Sequence, residues 1–116
     1  MRLRQAIAEA DGLRPNAIGE ETKAEWIEQL ESRFAEVQQI KPPPPSHPED
    51  KDLLMPPPVD RVYVLWLAAM IDWAQLDGDL YAVDNAMYAQ AYKEACAWWR
   101  RHNIPIINAD GSRYEP

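Results

Sequence analysis

The chain has 116 residues, enough for one domain with a single hydrophobic core. Its 12 Lys and Arg residues against 19 Asp and Glu residues give a net charge of −7, which disfavours duplex DNA as a tightly held ligand because an acidic surface repels phosphate. A single cysteine, Cys96, excludes an internal disulfide. No apolar signal-peptide core follows the N-terminus, and the longest apolar run, residues 62–71, is about half of a bilayer span, so we expect a soluble intracellular protein.

Two helices are predicted in the first third of the chain. Leu3, Ile7 and Ala10 share one helical face, which predicts a helix over residues 2–10 that the Asp-Gly pair at 11–12 ends. Residues 14–16 then predict a turn, and a second helix is predicted from residues 20–21 to about residue 38. Its expected buried stripe comprises Trp26, Ile27, Leu30, Phe34 and Val37, and its expected solvent face comprises Glu25, Glu28, Glu31, Ser32 and Arg33.

Residues 40–58 hold eight of the eleven prolines, and residues 42–58 therefore predict a stiff Pro-rich connecting segment with a polyproline II rod at its start. A docking motif for an SH3-like partner is the alternative. Within this segment Leu53, Leu54 and Met55 are apolar and flanked by helix breakers, so they could pack on the bundle or on a neighbouring subunit. We expect them to be poorly covered in a monomer and to act as an arm that becomes ordered on assembly.

The chain centre, residues 61–72, predicts the core helix. Every residue between Arg61 and Asp72 is apolar or aromatic, so a helix here would be buried on all sides, with burial expected to relax at Asp72. A strand is the competing interpretation, because valines and aromatic residues favour sheets. The total length and the Leu-Ala-Ala-Met continuation favour a helix.

The last predicted helix begins between Asp79 and Asp84, after a break at residues 76–79, and ends near His102. Its expected buried face comprises Leu80, Val83, Met87, Ala91, Ala95 and Trp98. Residues 103–108 predict an extended segment and residues 110–111 a turn. The prediction is an all-α bundle of about four helices, a domain over residues 1–103 with a long αα-hairpin, followed by an extended tail over residues 104–116.

No arrangement of reactive side chains predicts catalysis. Asp77, Asp79 and Asp84 superficially suggest a calcium loop, but Ala82 stands at the obligatory glycine position and Tyr88 at the closing acidic position. His47 and His102 lack nearby ligand partners, and Cys96 lacks a base that would activate it. We therefore expect a non-enzymatic protein without a metal or cofactor.

The aromatic residues indicate interaction with partners. Trp98 and Trp99 are adjacent, so they point about 100° apart on a helix and cannot both face one narrow stripe. One of them, next to Arg100 and Arg101, should be partly exposed, and Trp with Arg is typical of interface hot spots. The candidate partner-interface residues are Leu53, Leu54, Met55, Trp98, Trp99, Arg100, Arg101, Ile104, Ile106 and Ile107.

The string over residues 56–73, with Tyr81, residues 91–94 and residues 98–101, resembles small proteins of tailed-phage and prophage structural modules. Those proteins carry a comparable Pro-Pro-Pro-Tyr-Asp-Arg opening and a Tyr-Tyr-Arg-Arg-like close, and the turn at residues 13–18 is similar to theirs. The likeness is to the head-tail connector (adaptor) family, and Val59, Gly78 and the proline insert depart from its pattern.

The resemblance implies an all-α virion protein at the head-tail interface, present in the host cytoplasm during assembly. Copies would form a dodecameric ring below the portal protein and bind downstream head-completion or tail proteins. DNA would pass through the ring without specific binding, and no membrane would be involved. Two alternatives stay open: a prophage regulatory module that binds a host factor through the Pro-rich segment, and a DNA-packaging accessory protein that binds DNA through Arg100 and Arg101.

Overall fold

The computed structural model describes residues 1–38, 52–103, 106–107 and 113–114. In this part of the chain the fold is all-α, as predicted, with four helices: α1 (Leu3–Leu13), α2 (Glu20–Gln38), α3 (Arg61–Ala74) and α4 (Gly78–Asn103). Two short strands, β1 (Ile106–Ile107) and β2 (Arg113–Tyr114), pair antiparallel within the predicted tail. The polyproline II prediction, His47 and the predicted turn at residues 110–111 lie outside the described residues.

α3 is the core helix, as its composition predicts, and it packs against all three other helices. Its sequence is apolar around the circumference, so it gains most free energy when every side is covered. Eight apolar residues of α3 are buried, whereas Trp66 and Met70 are half-buried. The most extensive packing partner is α4, which completes the predicted αα-hairpin with α1 and α2 beside it.

Asp72 contradicts the prediction that burial relaxes at its position, because its residue surface is only 1% exposed. The Arg14 side chain reaches it from the α1–α2 connection, with Nε 3.3 Å from Asp72 Oδ1. A buried carboxylate needs a counter-charge, and Arg14 supplies one. Burial ends one residue later, at the exposed Trp73.

α1 is longer than predicted, since it continues through the Asp-Gly pair to Leu13. Asp11 does not act as a helix stop because it is held by neighbours: Lys23 Nζ lies 2.7 Å from its Oδ1, and the Asn16 side-chain amide donates to the same oxygen at 3.0 Å. The helix ends at Arg14, immediately before Pro15, as the restriction on residues preceding proline requires.

α2 has the predicted bounds, but two of its residues differ from the predicted burial. Glu31 is buried rather than on the solvent face, and Val37 is 54% exposed in the last turn rather than buried. Lys23, for which no burial is predicted, is buried too. Glu31 is buried because it accepts two hydrogen bonds from other elements. Buried polar groups are tolerated when they are paired in this way.

The segment at residues 52–55 is part of the core, so the prediction of a poorly covered arm is wrong for Leu53 and Met55. Both are buried, and Leu54 is half-buried. The Leu53 N–H donates to the Met1 carbonyl at 2.9 Å, and Arg2 forms an isolated antiparallel bridge with Asp52. The segment therefore packs on its own bundle, which is the first of the two placements that its apolar character allows.

α4 begins at Gly78, one residue before the predicted range, because Asp77 caps it: Asp77 Oδ1 accepts the Leu80 N–H at 3.1 Å. The glycine expected to break a helix is thus its first residue. The predicted buried face is wrong over the first half of α4, since Leu80, Val83 and Met87 are exposed. The observed buried face instead contains Asp84, Tyr88, Ala95 and Cys96, with Ala91, Tyr92 and Trp99 half-buried.

Candidate docking surface

The described residues contain no group of three or more His, Cys, Asp or Glu side chains placed to hold a metal ion. Cys96 is free and buried, as expected for a small hydrophobic residue. The His102 ring stacks on Trp98 with centroids 4.1 Å apart. None of the helices that the structure describes is long and apolar enough to cross a membrane.

The first half of α4 is apolar over a wider arc than the rest of the domain covers. Asp84 and Tyr88 face inward, where Asp84 binds Arg14 and the Tyr88 ring lies 5.0 Å from the Trp66 ring. Leu80, Val83 and Met87, at helical spacing i, i+3 and i+7, form a second row beside this buried face and remain exposed. We call these three residues the α4 stripe.

The turn between α3 and α4 presents two more large apolar side chains. Leu76 is 91% exposed and Trp73 is 61% exposed. Leu76 has φ 58°, in the left-handed region that costs a non-glycine residue roughly 1–2 kcal/mol. Glycine or asparagine would adopt this conformation with less strain than leucine. An exposed leucine at a strained position therefore indicates a function for its side chain. Trp73 and Leu76 are called the turn knob below.

A groove of about 520 Å³ lies between the N-terminal end of α3 and the middle of α4. Its apolar lining comes from Pro58, Val62, Leu65, Ala86, Met87 and Ala91. Met87 belongs to both the groove and the α4 stripe, so the two form one continuous surface. Contiguous exposed apolar area of this kind marks interaction sites in soluble domains.

The groove and the turn knob have different charged neighbours. Arg61 lines the groove, is exposed, and makes no ion pair with any residue that the structure describes. Glu94, also at the groove, accepts a hydrogen bond from the Gln90 amide at 3.0 Å. The turn knob adjoins the acidic start of α4, where Asp79 is exposed in the first turn and Asp77 caps the helix.

Beneath the turn, Arg14 holds two carboxylates together. Its Nε and Nη2 donate to the two oxygens of Asp84 at 2.9 and 3.0 Å, and its Nε is 3.3 Å from Asp72. Burial first, and neighbouring Asp84 second, raise the pKa of Asp72 to about 7 against the lowering effect of Arg14. One cation between two carboxylates therefore leaves the ionisation of Asp72 sensitive to pH near neutrality.

The interface residues that the sequence predicts lie in different parts of the structure. Trp98 and Trp99 are both half-buried, Trp99 packs against the core, and Arg100 and Arg101 are exposed. They lie towards the opposite end of α4 from the turn knob, about 30–35 Å from its first residue along the helix axis. Ile104 is outside the described residues, Ile106 and Ile107 are strand β1, and Leu53 and Met55 are in the core.

Sequence reasoning missed the turn knob and the groove. The only sequence signal for the knob is the apolar pair Trp73 and Leu76 beside a glycine and two aspartates, a pattern that by itself predicts a helix break and not an exposed apolar patch. The groove has no sequence signal, because its lining comes from residues about 25 positions apart.

Comparisons with known proteins add no relative to this picture. No family model matches the chain, and neither the search of curated proteins nor that of solved structures gave a match.

Proposed function

We propose that this chain is a non-enzymatic structural protein of a tailed phage or prophage, a head-tail connector that forms a ring below the portal and joins the capsid to the tail. The observation that carries the proposal is the uncovered apolar surface made of the turn knob, the α4 stripe and the groove. A domain of this size seldom leaves its largest apolar side chains in water without a partner.

The arrangement of that surface suits a ring. The turn knob and the groove are different patches on one copy, and a contact between different patches propagates from copy to copy and closes when the rotation per subunit allows. The charge of −7 suits a channel through which packaged DNA passes without adhering.

The C-terminal end of α4 is the site that we propose for binding the portal, head-completion or tail proteins. Trp98 and Trp99 are half-buried beside the exposed Arg100 and Arg101, and residues 104–116 follow them. Trp and Arg are the residue types that dominate interface energies. The tail, with Ile104, Ile106 and Ile107, would pack against these partners.

The experiment is reconstitution of the full chain with the portal and neighbouring structural proteins of its own genome, followed by negative-stain microscopy and native mass measurement. We expect a ring on the portal. Deleting residues 104–116 should preserve helical content and thermal unfolding while abolishing incorporation into particles. Normal incorporation of this truncation would contradict the proposed role of the tail.

The same preparation distinguishes the alternatives. Replacing Pro42–Pro45 with Ser and Gly should leave ring formation intact. If the replacement abolishes binding of a host factor and has no effect on particles, the chain is a regulatory module. Retention on duplex DNA at low salt that depends on Arg100 and Arg101 would indicate a packaging accessory protein instead.

A further inference from the structure

We infer that the turn knob of one copy, Trp73 and Leu76, seats in the groove of the next copy, with Asp79 beside the knob opposite Arg61 at the groove. The inference deepens the proposed function, because it names the contact between neighbouring subunits of the ring. The occupant of the groove is thus a second copy of this chain.

The apolar parts are complementary. The knob offers the two most exposed large apolar side chains among the described residues, and the groove offers about 520 Å³ lined by aliphatic side chains and Pro58. A tryptophan that enters such a groove buries a large area with little loss of side-chain freedom, which is why tryptophan is prominent in interface centres. Met87 extends the groove into the α4 stripe, so the contact can continue beyond the knob.

The charges favour contact between the knob and the groove. Arg61 has no counter-ion among the described residues, and Asp79 is exposed beside the knob without an ion pair to any of them. Knob against knob would bring acidic residues together and is disfavoured, whereas groove against groove carries Glu94 as well as Arg61 and is not disfavoured by charge. Knob against groove pairs opposite charges and is favoured.

A copy cannot fill its own groove. Arg61 is the first residue of α3, and Leu76 follows its last turn. The 14 residues of α3 span about 21 Å, so the knob and the groove lie at opposite ends of the same helix. The contact is therefore between copies. If the knob and the groove of one copy engage two different neighbours, the contact is heterologous and builds a ring or an open chain, whereas reciprocal seating of two copies would close a two-fold dimer.

The test is site-specific disulfide formation in the full-length chain on a Cys96→Ser background, so that the native thiol cannot react. Leu76→Cys protein is mixed with Ala86→Cys protein, since Ala86 is an exposed residue of the groove. The matched control replaces Ala86→Cys with Val37→Cys, which is similarly accessible but lies on α2, away from the groove. We expect at least fivefold more 76–86 than 76–37 dimer, and a ladder of oligomers when Leu76→Cys and Ala86→Cys are combined in one chain.

Charge exchange supplies a second readout. Arg61→Glu should reduce 76–86 cross-linking at least fivefold, and adding Asp79→Lys to the partner protein should restore it, which loss of folding could not do. Equal yields of 76–86 and 76–37 dimers, or no rescue by the exchanged pair, would overturn the inference. Incorporation into particles without 76–86 cross-linking would contradict this contact but not the connector function. Cross-linking without binding to the portal protein would support the contact and contradict the connector function.

Discussion

At the scale of single residues, Glu31 links the core helix to the segment that follows the Pro-rich stretch. Its carboxylate accepts the Tyr63 hydroxyl at 2.5 Å and the Leu54 N–H at 2.8 Å, and the Tyr63 oxygen accepts the Met55 N–H at 2.8 Å. Burial, reinforced by the charge of Glu31, raises the pKa of Tyr63 far above its usual value, so the hydroxyl remains a donor. This polar cluster explains why residues 53–55 lie in the core.

Tyr63→Phe should lower the free energy of unfolding by about 2–3 kcal/mol, because it removes a donor from a buried carboxylate and leaves the Met55 N–H without its acceptor. Urea unfolding followed by circular dichroism measures the change. The matched control is Tyr81→Phe, whose half-buried hydroxyl makes no hydrogen bond to a described residue and should change stability by less than about 0.5 kcal/mol. Equal effects of the two substitutions would contradict the role given to the cluster.

Asp72 should make stability depend on pH in the direction opposite to an ordinary ion-paired carboxylate. Its pKa is about 7 in the folded chain, raised by burial from 3.8, so between these values the folded chain binds more protons than the unfolded chain. The contribution of Asp72 to the free energy of unfolding therefore falls as pH rises from about 4 to 7.

Asp72→Asn removes this titration while Arg14 keeps its two bonds to Asp84. The free energy of unfolding of the variant minus that of the native chain should be about 2 kcal/mol larger at pH 8 than at pH 5. Paired urea titrations at the two pH values isolate the effect from the other carboxylates, which are common to both proteins. A stability difference that does not vary with pH would show that Asp72 is not the titrating group.

At the scale of elements, α4 carries two adjacent apolar rows and the domain covers one of them. The buried row contains Tyr88, whose hydroxyl accepts from Arg33 at 3.1 Å and whose ring lies beside Trp66. Val83 belongs to the exposed row, the α4 stripe. Periodicity alone could not choose between rows separated by a fraction of a helical turn.

Tyr88→Ala should therefore lower the free energy of unfolding by about 3 kcal/mol, since it empties a packed site between α3 and α4. Val83→Ala, the matched substitution on the stripe, should change the stability of the isolated chain by less than about 0.5 kcal/mol. Thermal and urea unfolding at low protein concentration measure both. Similar losses for the two variants would mean that the stripe is part of the intramolecular core.

At the scale of the whole molecule, the same hairpin that completes the core also displays the knob and the groove at opposite ends of α3. Leu76→Gly separates the two roles of the turn. Glycine relieves the positive φ, so the monomer should lose no stability and should gain up to about 1 kcal/mol. Self-association should weaken because half of the knob is removed.

Unfolding at low concentration measures the effect on stability, and native mass measurement of the full-length chain over a range of concentrations measures self-association. A variant that is destabilised and still associates normally would contradict both assignments. The comparison variant is Val37→Ala, which shortens an apolar side chain of 54% exposure in the last turn of α2, away from the knob. It should leave self-association unchanged.

The sequence by itself determined the helical class, the bounds of α2 within about a residue, and α3 as the buried centre. These follow from local signals: prolines stop helices, periodicity marks a face, and an unbroken apolar run needs cover on all sides. Adjacency alone also predicts that one of Trp98 and Trp99 is partly exposed, but not that both are half-buried, since Trp98 is predicted on the buried face of α4.

Only the tertiary structure decided which face of α4 is inside, that Glu31 and Asp72 are buried, and that Leu53 and Met55 belong to the core. Each of these depends on a partner distant in the chain: Arg14 for Asp72 and Asp84, and Tyr63 for Glu31. A polar residue is buried when such a partner satisfies it, and no local pattern records where that partner will be. The exposed α4 stripe follows from the same choices, because the row of α4 that does not face the core stays uncovered within the domain.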